Sequence, residues 1–254
     1  MSQTISTTVG PLTVVLVHGA FADASSWTGV IERLQKAGVQ VTAPANPLRG
    51  LNFDSAYLAS VLNQIPGPVL AVGHSYAGAL ITNAASTASN VVGLVYVAAF
   101  ATDKGERLGD VESTSKDSVL NTALVALKYP TGQGAQTAVE FAINVAHFHD
   151  VFAADLPVEQ AALMAATQRP AADLAFSEPA GVPAWKTLPS WAVVATGDKA
   201  AGSDVIRSMA RRAGATITEV EGSHVIRISQ PQAVTDVILS AVAAIGSTSE
   251  RQTA

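Results

Sequence analysis

The sequence predicts an α/β fold, a mostly parallel sheet with helices on both faces. Short apolar runs rich in β-branched residues recur along the chain, beginning with Leu12-Thr13-Val14-Val15-Leu16-Val17. Continuous apolar strands of this kind belong to sheets covered on both faces. Segments with helical spacing alternate with these runs, the order that builds parallel sheets through helical crossovers. One run, Pro68 to Val72, leads straight into Gly73-His74-Ser75-Tyr76-Ala77-Gly78 and a stretch of small residues, the pattern of strand, sharp turn and helix.

Composition agrees with one packed domain. Of 254 residues, 48% are hydrophobic and only 14% charged, which excludes a disordered chain. The net charge of −5 argues against a nucleic-acid partner, which would need a basic face. With no cysteine, a disulfide framework and a thiolate zinc site are both excluded, and the absence suits the cytoplasm. Residues Met1 to Gly10 lack the charged and apolar regions of a signal peptide. No apolar run approaches the roughly 20 residues that span a bilayer.

In chain order, the first strand (Leu12 to Val17) ends at His18-Gly19-Ala20-Phe21, and a helix follows from Trp27 to Ala37, stopped by Gly38. A second strand covers Val39 to Ala43, and Pro47 and Gly50 punctuate the loop after it. Apolar spacing at Tyr57, Leu58, Val61, Leu62 and Ile65 predicts a helix from Asp54 to Gln64, with Asp54 near its start. The strand and helix around Ser75 follow, then a buried strand within Asn90 to Ala99. The rhythm changes from about Thr102 to Pro189, where helical spacing appears at Val119 to Leu127, Ala135 to His147 and Pro157 to Thr167. This insertion is expected to be a helical cap over the strand ends. Alternation resumes with a strand (Ser190 to Thr196), a helix (Ser203 to Ala213), a strand (Thr216 to Val220) and a final helix (Pro231 to Ile245). The small, polar tail Gly246 to Ala254 is expected to fray.

In such sheets ligands sit at the carboxyl ends of the strands, so the residues after each strand are the ones to weigh. They include Ser75 after the third strand, Asp198 in Gly197-Asp198-Lys199, and His224 in Gly222-Ser223-His224. A serine hydroxyl needs a neighbouring base to become a nucleophile. His224 can accept its proton, and Asp198 can hold the other ring N–H and stabilise the imidazolium. The small residues Gly73, Ala77 and Gly78 meet a steric need, because strand and helix approach closely at such a turn. Two backbone N–H groups are expected to stabilise an oxyanion, those of Tyr76 and Ala20, with Phe21 as the runner-up.

Other residues compete for these roles. Asp204 is the nearest rival acid, but it reads better as a charge in the first turn of a helix, and Glu221 is a further rival. His18 and His74 read as buried, hydrogen-bonded supports. His147 and His149 stand two apart in the insertion without a third ligand spaced to join them, so no metal is expected. Trp27, Trp185 and Trp191 read as core or pocket wall. No Gly-x-Gly-x-x-Gly follows the first strand, which excludes a dinucleotide site, and no cofactor is expected.

With these residues in place, the chain from about Leu12 to Ile245 resembles the α/β-hydrolase superfamily. Within it, the chain is similar to the small cap-bearing esterases related to plant methylesterases and hydroxynitrile lyases. The resemblance rests on Val17-His18-Gly19-Ala20-Phe21 with Trp27, Gly73-His74-Ser75-Tyr76-Ala77-Gly78, Pro189-Ser190-Trp191, Gly197-Asp198-Lys199 and Ser223-His224. It implies a serine esterase hydrolysing a small, fairly apolar ester through an acyl-enzyme. The lyases of that group carry a lysine after the catalytic histidine and a threonine after the histidine of the first loop. Val225 and Gly19 stand here, which disfavours lyase chemistry. A cofactor-free lyase or C–C hydrolase, and a non-catalytic small-molecule receptor, are the alternatives. Phe21, Phe141, Phe148, Phe152, Leu163, Met164 and Val225 are the expected pocket walls, with packing inside the cap as the competing role for those in the insertion.

Overall fold

The computed structural model describes residues 10–253, with side chains described to residue 247. Of the segment read above as lacking signal-peptide features, Met1 to Val9 lie outside the described residues.

The first half of the chain follows the predicted alternation. Strand β1 (Thr13–Val17) leads through a 3₁₀ turn to helix α1 (Thr28–Lys36) and strand β2 (Gln40–Thr42). Helix α2 (Leu51–Asn63), strand β3 (Val69–His74), helix α3 (Ala77–Ala84) and strand β4 (Val91–Val97) follow. After the insertion come strand β8 (Ser190–Ala195), helix α8 (Ser203–Arg212), strand β9 (Thr216–Val220), helix α9 (Ile226–Ser229) and helix α10 (Pro231–Thr253). The last helix runs on past Ile245, so the expected frayed tail is helical through Thr253.

The six core strands form one sheet in the order β2-β1-β3-β4-β8-β9, and every pairing is parallel. Alternate strand residues therefore serve opposite layers. Val14, Leu16, Leu70 and Val72 pack with Trp27, Val30, Leu34, Val234 and Ile238 on one face. Val15, Val17, Ala71 and Leu94 pack with Leu58, Leu62, Leu80 and Ile206 on the other. Both faces are covered, which is why these strands read as unbroken apolar runs. Because the strands are parallel, the loops carrying His18, Ser75, Asp198 and His224 all leave the same edge of the sheet.

The insertion departs from the expected all-helical form. It contains helix α4 (Leu108–Glu112), strands β5 (Leu124–Pro130) and β6 (Thr137–Ile143), helices α5 (Val145–Phe152) and α6 (Val158–Thr167), strand β7 (Ala171–Ala172) and helix α7 (Leu174–Ser177). The stretches Val119 to Leu127 and Ala135 to His147, predicted as helices, are only partly helical: from Leu124 and from Thr137 to Ile143 they run in the two arms of an antiparallel hairpin, to which β7 adds a third strand. Gly132 and Gly134 cause the difference. Both take positive φ, 80° and 61°, which turns the chain back and would interrupt a helix. Pro157 to Thr167 is helical as expected. The hairpin is tied to the core where Arg49 pairs with Glu140 at 2.8 Å and lies over the Tyr129 ring.

Candidate active site

Ser75 sits on the turn between β3 and α3 with φ of 55°, in the left-handed region. For a non-glycine residue this conformation costs on the order of 1–3 kcal/mol and persists only where its surroundings hold it. A Cβ on Gly73 would meet Ala77 O at 2.5 Å, and one on Gly78 would meet Phe100 O at 2.6 Å. The close approaches thus fall two residues before and three after the serine, and Ala77 is tolerated between them. Backbone bonds lock the turn: Ser75 N–H donates to Val97 O, while Gly78 N–H and Phe100 N–H donate to Ser75 O.

Asp198 and His224 are both buried, and the Asp198 Oδ2 lies 2.7 Å from His224 Nδ1. The other carboxylate oxygen of Asp198 accepts the N–H groups of Ala200 and Ala201, each at 2.9 Å. That leaves Oδ2 for the imidazole and makes the ring nitrogen facing it the donor. Nε2 is then the nitrogen that can accept a proton. Ser75 and His224 line one cavity of about 310 Å³. The two rival acids lie elsewhere: Asp204 accepts the Ser115 hydroxyl at 2.5 Å and Lys116 N–H at 2.9 Å, and Glu221 is exposed.

The loop after β1 comes up against the serine. A Cβ on Gly19 would meet Ser75 Cβ at 2.8 Å and His74 O at 2.7 Å, so only glycine allows this approach. Among the described residues the backbone N–H groups of Ala20 and Tyr76 have no partner, whereas Phe21 N–H donates to Arg169 O at 3.1 Å. Of the two first-loop donors considered, Ala20 is the one left free.

Two further histidines brace the site. His18 Nε2 accepts Asn46 N–H at 2.9 Å, which assigns the proton to Nδ1 and its bond to Gly19 O. Burial pushes its pKa down to about 4. His74 lies with its ring centroid 4.6 Å from that of His224, and its Nε2–H donates to His224 O at 2.9 Å. Burial holds it well below the usual histidine range. Both are neutral near pH 7 and add no charge beside His224.

Asp155, in the insertion, fixes the turn before His224. Its carboxylate accepts Ser223 N–H at 2.8 Å and the Ser223 hydroxyl at 2.5 Å. Asp54, seen in the sequence only as a helix start, is fully buried and accepts the Tyr76 hydroxyl at 2.8 Å. Neither role has a local motif, since both are made by segments far apart in sequence.

Of the expected walls, Phe21, Phe141 and Phe152 line the cavity. Phe148 is buried behind Phe152 at a centroid distance of 5.0 Å, and Val225 is buried in the core; neither lines it. Leu163 is 69% exposed on α6, and Met164 faces a neighbouring cleft with Gln160 and Thr167. The apolar lining is completed by Phe100, Leu108, Leu120, Leu124, Ala126 and Phe176, which the sequence reading did not single out. Among the described residues no three His, Cys, Asp or Glu side chains gather as a metal site, and His149 is engaged with Leu156 O and Asp150. No described helix is long and apolar enough to cross a membrane.

Residues 14–237 match the model of the alpha/beta hydrolase family. The chain belongs to that family, and hydrolase is the class that fold and site define. Among solved structures it is similar to polyneuridine aldehyde esterase, with 22% identity and a TM-score of 0.75 over 91% of this chain and 99% of that one. A methylesterase from Arabidopsis aligns at 20% identity and TM-score 0.73 over 91% and 99%. A pyrethroid hydrolase from Sphingobium faniae JZ-2 aligns at 19% and 0.72 over 92% and 98%. The first two agree with the resemblance read from the sequence; at these identities the likeness is one of fold. Comparison with curated proteins finds no match.

Proposed function

We propose that this protein is a serine carboxylesterase acting on a small, fairly apolar carboxylic ester. The observation that carries the reading is the placing of Ser75, at φ 55° on its tight turn, in the same cavity as His224, whose Nδ1 is 2.7 Å from Asp198. In the reaction, Ser75 Oγ attacks the ester carbonyl carbon as its proton passes to His224 Nε2. The tetrahedral oxyanion is met by the N–H groups of Ala20 and Tyr76. His224 returns the proton to the leaving alcohol oxygen, and the C–O bond to that alcohol breaks. Water then attacks the acyl-serine as His224 again takes the proton, and His224 returns it to Ser75 Oγ as the bond from the acyl carbon to that oxygen breaks and the carboxylic acid leaves.

The apolar walls favour hydrocarbon on both sides of the carbonyl. The alternatives of lyase and receptor have no observation of their own in the site. A panel of p-nitrophenyl esters of increasing acyl length, run on the wild type and on Ser75→Ala, tests the reading. Hydrolysis by the wild type and a loss of several orders of magnitude in kcat for a folded Ser75→Ala support it. A fluorophosphonate that labels Ser75→Ala as well as the wild type overturns the assignment of the nucleophile.

A further inference from the structure

The cavity that holds Ser75 and His224 is apolar over most of its wall but contains Glu112 and Asn121. Glu112 ends α4 and is only 7% exposed. One of its carboxyl oxygens meets the Ser118 hydroxyl, and the other accepts Asn121 Nδ2–H at 2.5 Å. Among the described residues no lysine, arginine or histidine is paired with it. Burial raises its carboxyl above the usual range. An unpaired carboxyl beside an apolar cavity costs stability that an aliphatic side chain of similar size would not.

What the carboxyl adds is acceptor capacity. Two carboxyl oxygens offer about four lone-pair positions, and two are used by Ser118 and Asn121. Ser118 is itself divided, because its hydroxyl also lies 2.7 Å from Ala200 O and has one proton for both. Asn121, an exposed residue at the same part of the wall, has an amide oxygen with no protein donor on it among the described residues, open to solvent or to a ligand. Glu112 is therefore the buried acceptor here with capacity left over, and the one hydroxyl proton it draws on is shared with Ala200 O.

We propose that Glu112 and Asn121 form a polar subsite that takes a hydrogen-bond donor, a hydroxyl or a protonated amine, carried by the substrate away from its ester carbonyl. This rests on the esterase reading and narrows it. The substrate is an otherwise apolar ester with one donor group, and Glu112 discriminates it from the plain hydrocarbon analogue. A site built to hydrogen-bond a substrate group rejects the analogue lacking it, because its own polar atoms are left unpaired.

The test uses matched ester triplets ending in methyl, hydroxyl or ammonium, one series varied in the acyl chain and one in the alcohol. In at least one series the wild type is expected to favour a donor-bearing member over the methyl member by about tenfold or more in kcat/KM. Glu112→Leu is expected to reverse that order. If Glu112→Leu does not fold, Glu112→Gln is expected to keep the hydroxyl preference and lose the ammonium preference. The hydroxyl and ammonium arms separate the two sources of the donor. A wild type that favours methyl in both series, or a folded Glu112→Leu with the wild-type ranking, overturns the subsite while leaving the esterase reading intact. Should no ester be hydrolysed, the esterase reading fails. The subsite is then judged by calorimetric binding of the corresponding ketones, where a donor preference lost in Glu112→Leu supports it and equal binding refutes it.

Discussion

The Tyr76 hydroxyl donates to Asp54 Oδ2 at 2.8 Å, joining the first turn of α2 to the residue beside Ser75. The same carboxylate accepts Arg49 N–H at 3.1 Å on both oxygens. Burial raises the Asp54 carboxyl above its usual range, and burial followed by the Asp54 charge pushes the Tyr76 phenol well above its own. Tyr76 lines the cavity, and its backbone N–H has no partner among the described residues. Holding the hydroxyl fixes the residue that carries the N–H.

Tyr76→Phe removes this bond and leaves a buried acceptor short of a partner, at a cost of about 1–3 kcal/mol. Urea unfolding is expected to show that loss, and kcat on a p-nitrophenyl ester is expected to fall about tenfold, equivalent to about 1.4 kcal/mol. Loss of stability with unchanged kcat would confine the Asp54–Tyr76 bond to folding.

Asp198 is the only carboxylate that reaches His224 among the described residues, since Asp204 is engaged by Ser115 and Lys116 and Glu221 is exposed. Asp198→Asn keeps the shape but favours the wrong imidazole tautomer. The corresponding change in a serine protease lowers kcat by about 10⁴, and a loss of that order is expected here. Asp204→Asn and Glu221→Gln are expected to change kcat by less than about threefold. Steady-state kinetics on all three variants decide the matter, and a silent Asp198→Asn would remove it as the acid.

Residues tied to short-range geometry were the legible ones. Gly73 and Gly78 announce the close packing around Ser75, and the all-parallel sheet follows from apolar runs that are covered on both faces. Asp198 and His224 could be read because a parallel sheet brings all its strand ends to one edge. Asp54 and Asp155 could not, because each acts on a partner 22 or 68 residues away through a contact with no spacing rule. In the insertion, the apolar spacing of Val119 to Leu127 fits a helix as well as a strand over so short a window. The turn residues Gly132 and Gly134 were the signal that separates the two. Leu163 and Met164 share a helix whose other face is buried through Ala161 and Ala165, so helical periodicity alone did not say which side meets the cavity.

The insertion places Phe141 in the cavity wall and Asp155 against the turn before His224, and two substitutions test these positions separately. Phe141, on β6, is a wall of the cavity. Phe141→Ala is expected to shift the preferred acyl chain to longer esters and to change acetate turnover by less than about threefold. Asp155→Ala frees Ser223, which precedes His224, and is expected to lower kcat about tenfold on every ester alike, about 1.4 kcal/mol. A flat response to Phe141→Ala across the acyl series would remove it from the acyl-binding wall.

His18 makes stability depend on acid. Its folded pKa is lowered from 6.5 to about 4, chiefly by burial. Between those two values the unfolded chain binds a proton that the folded chain refuses, so stability is full above about 6.5 and is lost as pH falls through the window. The difference corresponds to at most about 3 kcal/mol. His74, also lowered by burial, acts in the same direction. Asp54 and Glu112 act in the opposite one, because their raised carboxyls take up protons in the folded state first and lose stability as pH rises. Comparison with His18→Gln isolates the first contribution from the rest. Glutamine carries no titrating group, so the variant is expected to be less stable than the wild type at pH 7 and to lose about 1–3 kcal/mol less between pH 7 and pH 4.5. Urea unfolding at half-unit pH steps measures both slopes. Parallel curves for the two proteins would mean that His18 takes up its proton in the folded state as readily as in the unfolded one, and that the Asn46 N–H is not held by a neutral ring.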